Sequence, residues 1–187
     1  MFPFFQWVQS IGFLTGIRES AILYPVIMTS HLSGMALFGG MILVTDLRLL
    51  GWAFTRYSIS DVVDGLRVWK RIGGAFTMTC GLLLGASESE KYYGNPFFWT
   101  KMVFLAMVAV HALVFRPRVY NNPGELDKSP AIPGRAKAAA ACSLVIWLGL
   151  VTFGRLIGYY EGPQTQAQTQ AQTQAQTVTQ AAVTQLK

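Results

Sequence analysis

The chain has 187 residues, 52% of them apolar and only 13% charged. Soluble globular domains carry about a quarter charged residues, so this composition excludes an ordinary soluble enzyme, and its apolar content excludes a disordered chain. The net charge of +6 comes from 15 Lys and Arg against 9 Asp and Glu, with no basic run of the kind that binds nucleic acid. Two histidines and two cysteines are too few for a zinc finger or a disulfide framework.

Residues 1–19 are too short to cross a bilayer and lack the positive flank of a signal peptide. Phe4, Trp7, Val8, Ile11 and Leu14 recur at helical spacing, with Gln6, Gln9 and Ser10 opposite. That pattern predicts one amphipathic helix lying in the membrane interface. A span needs about 20 apolar residues, and its backbone must bond internally, which makes it helical. Four stretches qualify: 20–45, 72–86, 97–115 and 138–160. The second is the shortest, framed by Lys70 and Arg71 at one end and by Glu88, Glu90 and Lys91 at the other. The predicted fold is therefore all-α: an integral membrane four-helix bundle over 20–160, an interfacial helix over 1–19 and a polar tail over 161–187. In that tail, after Pro163, the unit Gln-Thr-Gln-Ala repeats from Gln164 to Gln176. The composition predicts a disordered tether, and the alternation leaves open a Gln ladder against copies or partners.

Lys and Arg are distributed unevenly. Ten lie in the loops after the first and third spans, from Arg48 to Lys137, and five lie on the opposite side: Arg18, Lys91, Lys101, Arg155 and Lys187. The positive-inside rule then predicts cytoplasmic loops and both termini outside. Trp7, Trp52, Trp69 and Trp99 flank spans as interfacial residues do, while Trp147 lies within the fourth.

Span two carries Gly73, Thr77, Gly81 and Gly85 at four-residue steps; Ser30 and Gly34 in span one and Gly154 and Gly158 in span four add small surfaces. Such ridges let helices approach closely in lipid, and they can also seat a flat tetrapyrrole. Cys80 and Cys142 are expected to be small, inert core residues.

Ionisable groups inside a span are functional candidates by default. His31 in span one and His111 in span three are the metal-ligand candidates. A neutral imidazole can hold haem iron or a chlorophyll magnesium, or it can hydrogen-bond to a hydroxyl or carbonyl of a neighbouring helix. Counted from the outer anchors Glu19 and Pro96, the two histidines differ in depth by about 5 Å; counted from the better-defined inner anchors Arg48 and Arg116, by about 18 Å. One haem shared by the pair is therefore not expected. Arg155, near the outer end of span four, and Lys101, opening span three, are candidates to bind a haem propionate, a quinone carbonyl or a lipid phosphate. The alternative for Arg155 is an ion pair with Glu19 or Glu88. Asp46 and Arg48 are expected to form a local pair that ends span one.

Tyr24-Pro25, His31, Gly34, Gly40 and the run from Asp46 to Gly51 resemble the first span of an uncharacterised bacterial four-span membrane family. The resemblance continues through Trp69 to Gly73, Thr79 to Leu84, Asn95-Pro96, Lys101, Ser143-Leu144, Trp147 and Gly154 to Ile157, covering about 18–161. Met28 and His111 depart from it, standing where similar proteins carry a carboxylate and an amide. The resemblance implies a multi-pass protein of the bacterial inner membrane. In plan the chain is also distantly similar to small membrane b-type cytochromes and copper-resistance membrane proteins.

No Ser-His-Asp, P-loop or dinucleotide motif is present, so no enzyme activity is expected. The expected role is a non-catalytic subunit of a larger respiratory or photosynthetic-type membrane complex. In it the chain would contact lipid, other subunits or copies of itself, with haem b or (bacterio)chlorophyll as the cofactor His31 would hold. The alternatives are a b-type haem electron-transfer protein and a small metal or solute transporter.

Overall fold

The computed structural model describes residues 2–160, with Gln174 alone beyond them; the tail predicted at 161–187 otherwise lies outside the described residues. Among these every regular element is a helix and there is no strand. The long elements are α3 (Leu23–Leu50), α5 (Arg67–Ser87), α7 (Pro96–Phe115) and α9 (Gly134–Leu156). They pack in the order α5, α3, α9, α7, with α3 and α9 in the centre of the row. Three helices are long and apolar enough to cross a membrane: α3, α7, and α9 with the 3-10 turn that extends it to Tyr159. The sequence predicted four. α5 has the length, at 21 residues, but Arg67, Lys70 and Arg71 fill its first turns, and Thr77 and Thr79 follow, which leaves it more polar than the other three.

The span ends follow from local chemistry. α3 runs five residues past its predicted end and stops where Gly51 turns left-handed at φ 79°, a conformation that an L side chain resists. α7 starts with Asn95 as N-cap, its Oδ1 accepting from the backbone N–H of Phe97 at 3.0 Å, and Pro96 stands at the first position, where its missing N–H is no loss. Asn95 Nδ2 also donates to the Ile157 carbonyl at 3.1 Å, joining the start of α7 to the end of α9.

The segment predicted as one interfacial helix is two: α1 (Phe2–Gln9) and α2 (Gly12–Glu19). Ser10 closes α1 by donating to the Trp7 carbonyl at 2.7 Å, and Ile11 adopts an extended backbone before α2. Phe4 and Trp7 stay exposed, but Gln9 turns inward, its side-chain oxygen accepting from Glu90 N at 3.0 Å. α1 thereby docks on α6 (Ser89–Tyr93). At the opposite end, α4 (Ile59–Gly65), a π-helix (Arg116–Tyr120) and α8 (Pro123–Asp127) close over the lower ends of α3 and α9. Leu49, Ile59, Val63, Val119, Leu126, Ala136, Ala139 and Ala140 form the buried core there.

Between these ends the outward surface is apolar. Leu37 is 72% exposed, Leu113 77% and Leu148 64%, side chains that water disfavours and lipid accepts. Cys80 is buried, as expected, but Cys142 is exposed.

Candidate functional site

The small-residue ridge of α5 determines the setting of His31. A Cβ on Gly73 would come within 3.3 Å of Met41 on α3, a Cβ on Gly34 of α3 within 2.7 Å of Thr77 Oγ1, and a Cβ on Gly81 within 2.8 Å of His31 Cε1. From Gly73 to Gly81 the ridge is thus covered by α3, with open space beside Gly85, and the His31 ring lies in the space that Gly81 leaves. His31 Nδ1 donates to the Thr77 carbonyl at 2.9 Å. A carbonyl can only accept, so Nδ1 carries the hydrogen, and in the neutral imidazole Nε2 keeps its lone pair. Tautomer control of this kind is what a protein uses to orient a histidine ligand.

His111 has a different neighbour. Its Nε2 donates to the Ala139 carbonyl of α9 at 2.9 Å, and its ring lies 4.9 Å from that of Phe115. His31 faces α5 and His111 faces α9, so the two imidazoles serve separate helix contacts. Among the described residues no group of three His, Cys, Asp or Glu converges as a metal site.

Lys101 and Arg155 share one end of the α7–α9 pair. The Lys101 chain lies along Gly154, with Cε 3.7 Å from where a Cβ would stand. Arg155 is exposed. Its guanidinium donates to the Tyr159 hydroxyl at 2.9 Å and stands over that ring at 5.0 Å. Neither of its expected acidic partners reaches it, since Glu19 pairs with Arg18 and Glu88 with Lys91. Tyr92 lies at the same end, where burial and then Tyr24 push its phenol up.

The expected Asp46–Arg48 pair is absent. Residues two apart on a helix face different ways, and Arg48 Nε donates instead to the Tyr57 carbonyl at 2.8 Å. Asp46 points inward and is 1% exposed. Around it four elements meet. Lys70 of α5 donates from Nζ to Thr45 Oγ1 at 3.0 Å, and Thr45 in turn donates to the Met41 carbonyl at 2.9 Å. Tyr120 of the π-helix directs its hydroxyl at Asp46 Oδ1 from 3.5 Å. Arg67 donates to the Tyr120 carbonyl at 2.8 Å and pairs with Asp64. Ser143 of α9 stands beside the carboxylate. Burial, reinforced by the Asp46 charge, pushes the Tyr120 phenol up, so it serves as a donor. π-helices are rare and recur at functional sites.

Sequence reasoning missed this centre. It took Asp46 as a helix-end residue and gave no role to Thr45, Tyr120 or Ser143. The available signal was the run Thr45-Asp46, polar residues continuing an apolar helix that ends only at Gly51.

The profile of DUF6644, a family of unknown function, matches residues 4–160. The chain belongs to this family. The match takes in α1 and α2 as well as all four long helices. No curated protein and no solved structure was found to match the chain.

Proposed function

We infer that this protein is an integral membrane subunit that crosses the bilayer four times and works within a larger membrane complex without catalysis of its own. The observation that carries this reading is a groove of about 410 Å³ on the flank of α3 and α5, lined by Thr29, Ser30, Ser33, Gly34, Gly73 and Phe76 among others. Small residues at a lipid-facing surface are what a neighbouring helix packs against. The apolar belt around the row supports burial in lipid, and the outward Ile72, Phe76 and Leu82 of α5 support its crossing as the fourth span. The Lys and Arg asymmetry orients both termini outside, in the inner membrane of a bacterium.

The test is recovery from native membranes in mild detergent. Wild-type protein should co-purify with at least one membrane partner in fixed ratio. Ser33→Trp, which fills the groove from an exposed position, should lose that partner while its thermal unfolding stays unchanged. A wild-type protein recovered alone would contradict the reading.

A second reading rests on His31. Its Nδ1 is fixed by the Thr77 carbonyl and its Nε2 is left with a lone pair, the preparation an axial ligand to haem or chlorophyll needs. Lys101 would offer its ammonium to a propionate, and Arg155 would do so from the surface. His111 would belong to a separate site, because its partner is α9. Bound haem would give a Soret band that His31→Ala abolishes; a colourless protein from haem-replete cells overturns this version.

A further inference from the structure

Asp46 is the only carboxylate among the described residues that is buried, and its Oδ2 has no hydrogen-bond partner there. Its other oxygen receives a single long contact from Tyr120. Lys70 brings a positive charge to the same space and donates to Thr45, but no direct ion pair joins it to Asp46 among the described residues. An unpaired carboxylate anion in such a place is strongly disfavoured, and an acceptor atom left without a donor adds to that. A carboxylic acid avoids the cost of the unpaired charge, while Ser143 can exchange a hydrogen bond with either form.

The groups that face Asp46 are few. α5 contributes Lys70, with Arg67 behind it, and Arg67 is held by Asp64 of α4. The π-helix contributes Tyr120, and α9 contributes Ser143 and, beside Tyr120, Cys142. Within α3, Arg48 is turned away to Tyr57. Lys70 is thus the cation that balances the carboxylate, and Tyr120 and Ser143 are the hydroxyls that can exchange hydrogen with it.

We propose that Asp46 is a reversible proton-binding site, taking up one proton on Oδ2 and releasing it, with Lys70 setting its affinity. On uptake the carboxylate becomes a carboxylic acid, and the Asp46–Lys70 pair goes from net zero to one positive charge. No other group changes its proton count, and no electron moves. Because α3, α5, α9 and the π-helix meet around Asp46, proton occupancy is coupled to how these four elements pack. Intramembrane carboxylates in this kind of setting serve as proton relays. The proposal does not depend on the complex or the cofactor discussed above.

The test is infrared difference spectroscopy of the purified full-length protein in detergent across a pH titration. Wild type should show the C=O stretch of one buried carboxylic acid appearing as pH falls, and Asp46→Asn should lack it. Lys70→Met, which removes the balancing charge, should move the midpoint of the band upward by about one to three pH units. An unfolded Asp46→Asn variant would leave the Lys70→Met titration to decide. A band that persists in folded Asp46→Asn, or a midpoint unmoved in Lys70→Met, overturns the proposal.

Discussion

The two ends of this molecule are built on different principles. The end formed by α4, the π-helix and α8 has a core like that of a water-soluble protein, with Leu49, Ile59 and Val63 almost fully buried and a charged cap. Asp127 accepts from the backbone N–H groups of Ile59 at 2.6 Å and Ser60 at 3.0 Å, and Ser58 caps the same helix by accepting from Asp61 N at 3.0 Å. The end formed by α1 and α6 is held by aromatic rings and isolated hydrogen bonds. Tyr93 lies 5.4 Å from Phe2 and 5.1 Å from Phe5, and Ser89 Oγ donates to the Phe5 carbonyl at 2.7 Å. Aromatic residues settle at the boundary of a bilayer, where one side is apolar and the other wet. The first end therefore draws its stability from burial, and the second from aromatic contacts and isolated hydrogen bonds.

This contrast breaks most sharply at Leu49. Leu49→Ala empties a fully buried site and should cost about 2–5 kcal/mol, whereas Leu113→Ala, at an exposed position on α7, should change stability by less than about 0.5 kcal/mol. Thermal unfolding of both variants in detergent checks the pair, and equal losses would contradict the division between packed end and exposed apolar middle. Next in size, Gly39→Val should cost about 1–3 kcal/mol, because the Trp147 ring occupies the space a side chain would need. The same melting measurement applies, with indole fluorescence reporting displacement of the ring.

The Asp127 cap sharpens the comparison through pH. Burial raises its carboxyl, but the Ser60 hydroxyl, the backbone N–H groups and Arg48 outweigh that and hold it below the ordinary carboxylate range. A depressed value means that the contribution is complete above the ordinary pKa of 3.8 and fades as pH falls through the lower folded-state value. Asp127→Asn should therefore be less stable than wild type by about 1 kcal/mol at neutral pH, with the gap closing below about pH 4. The smallest effect expected is at the other end. Ser89→Ala removes one hydrogen bond to the Phe5 carbonyl and should cost about 0.5–1 kcal/mol in detergent. It should also speed amide hydrogen exchange in α1 while leaving α4 unchanged.

Long apolar runs were legible in the sequence because length and composition alone identify them. α7 was expected at 97–115 and begins one residue earlier at Pro96. α9 begins four residues before its expected start, because Gly134 to Lys137 lead into an alanine run that extends the helix outward. The polarity of α5 was equally visible, yet its fifteen-residue apolar stretch looked like a span once charges framed it. The break at Ser10 was hidden, because the amphipathic spacing continues across it. The Asp46 centre was hidden for a physical reason: Thr45, Lys70, Tyr120 and Ser143 are far apart in sequence and meet only when α3, α5, α9 and the π-helix pack. The neighbours of His31 and His111 were likewise anticipated only as a type, a hydroxyl or carbonyl on another helix, and the fold supplied the carbonyls of Thr77 and Ala139.

The account rests on α5 crossing the bilayer, which would set α4 and α6 on opposite faces. In a variant with Cys80 and Cys142 replaced by alanine, single cysteines at the exposed positions Asp61 and Gly94 can be labelled in sealed, oriented membrane vesicles with a reagent that does not cross lipid. With α5 across the bilayer, Asp61→Cys should react only from the cytoplasmic side and Gly94→Cys only from the outer side. Labelling of both from the same side would show that α5 does not cross, and would contradict the four-span arrangement.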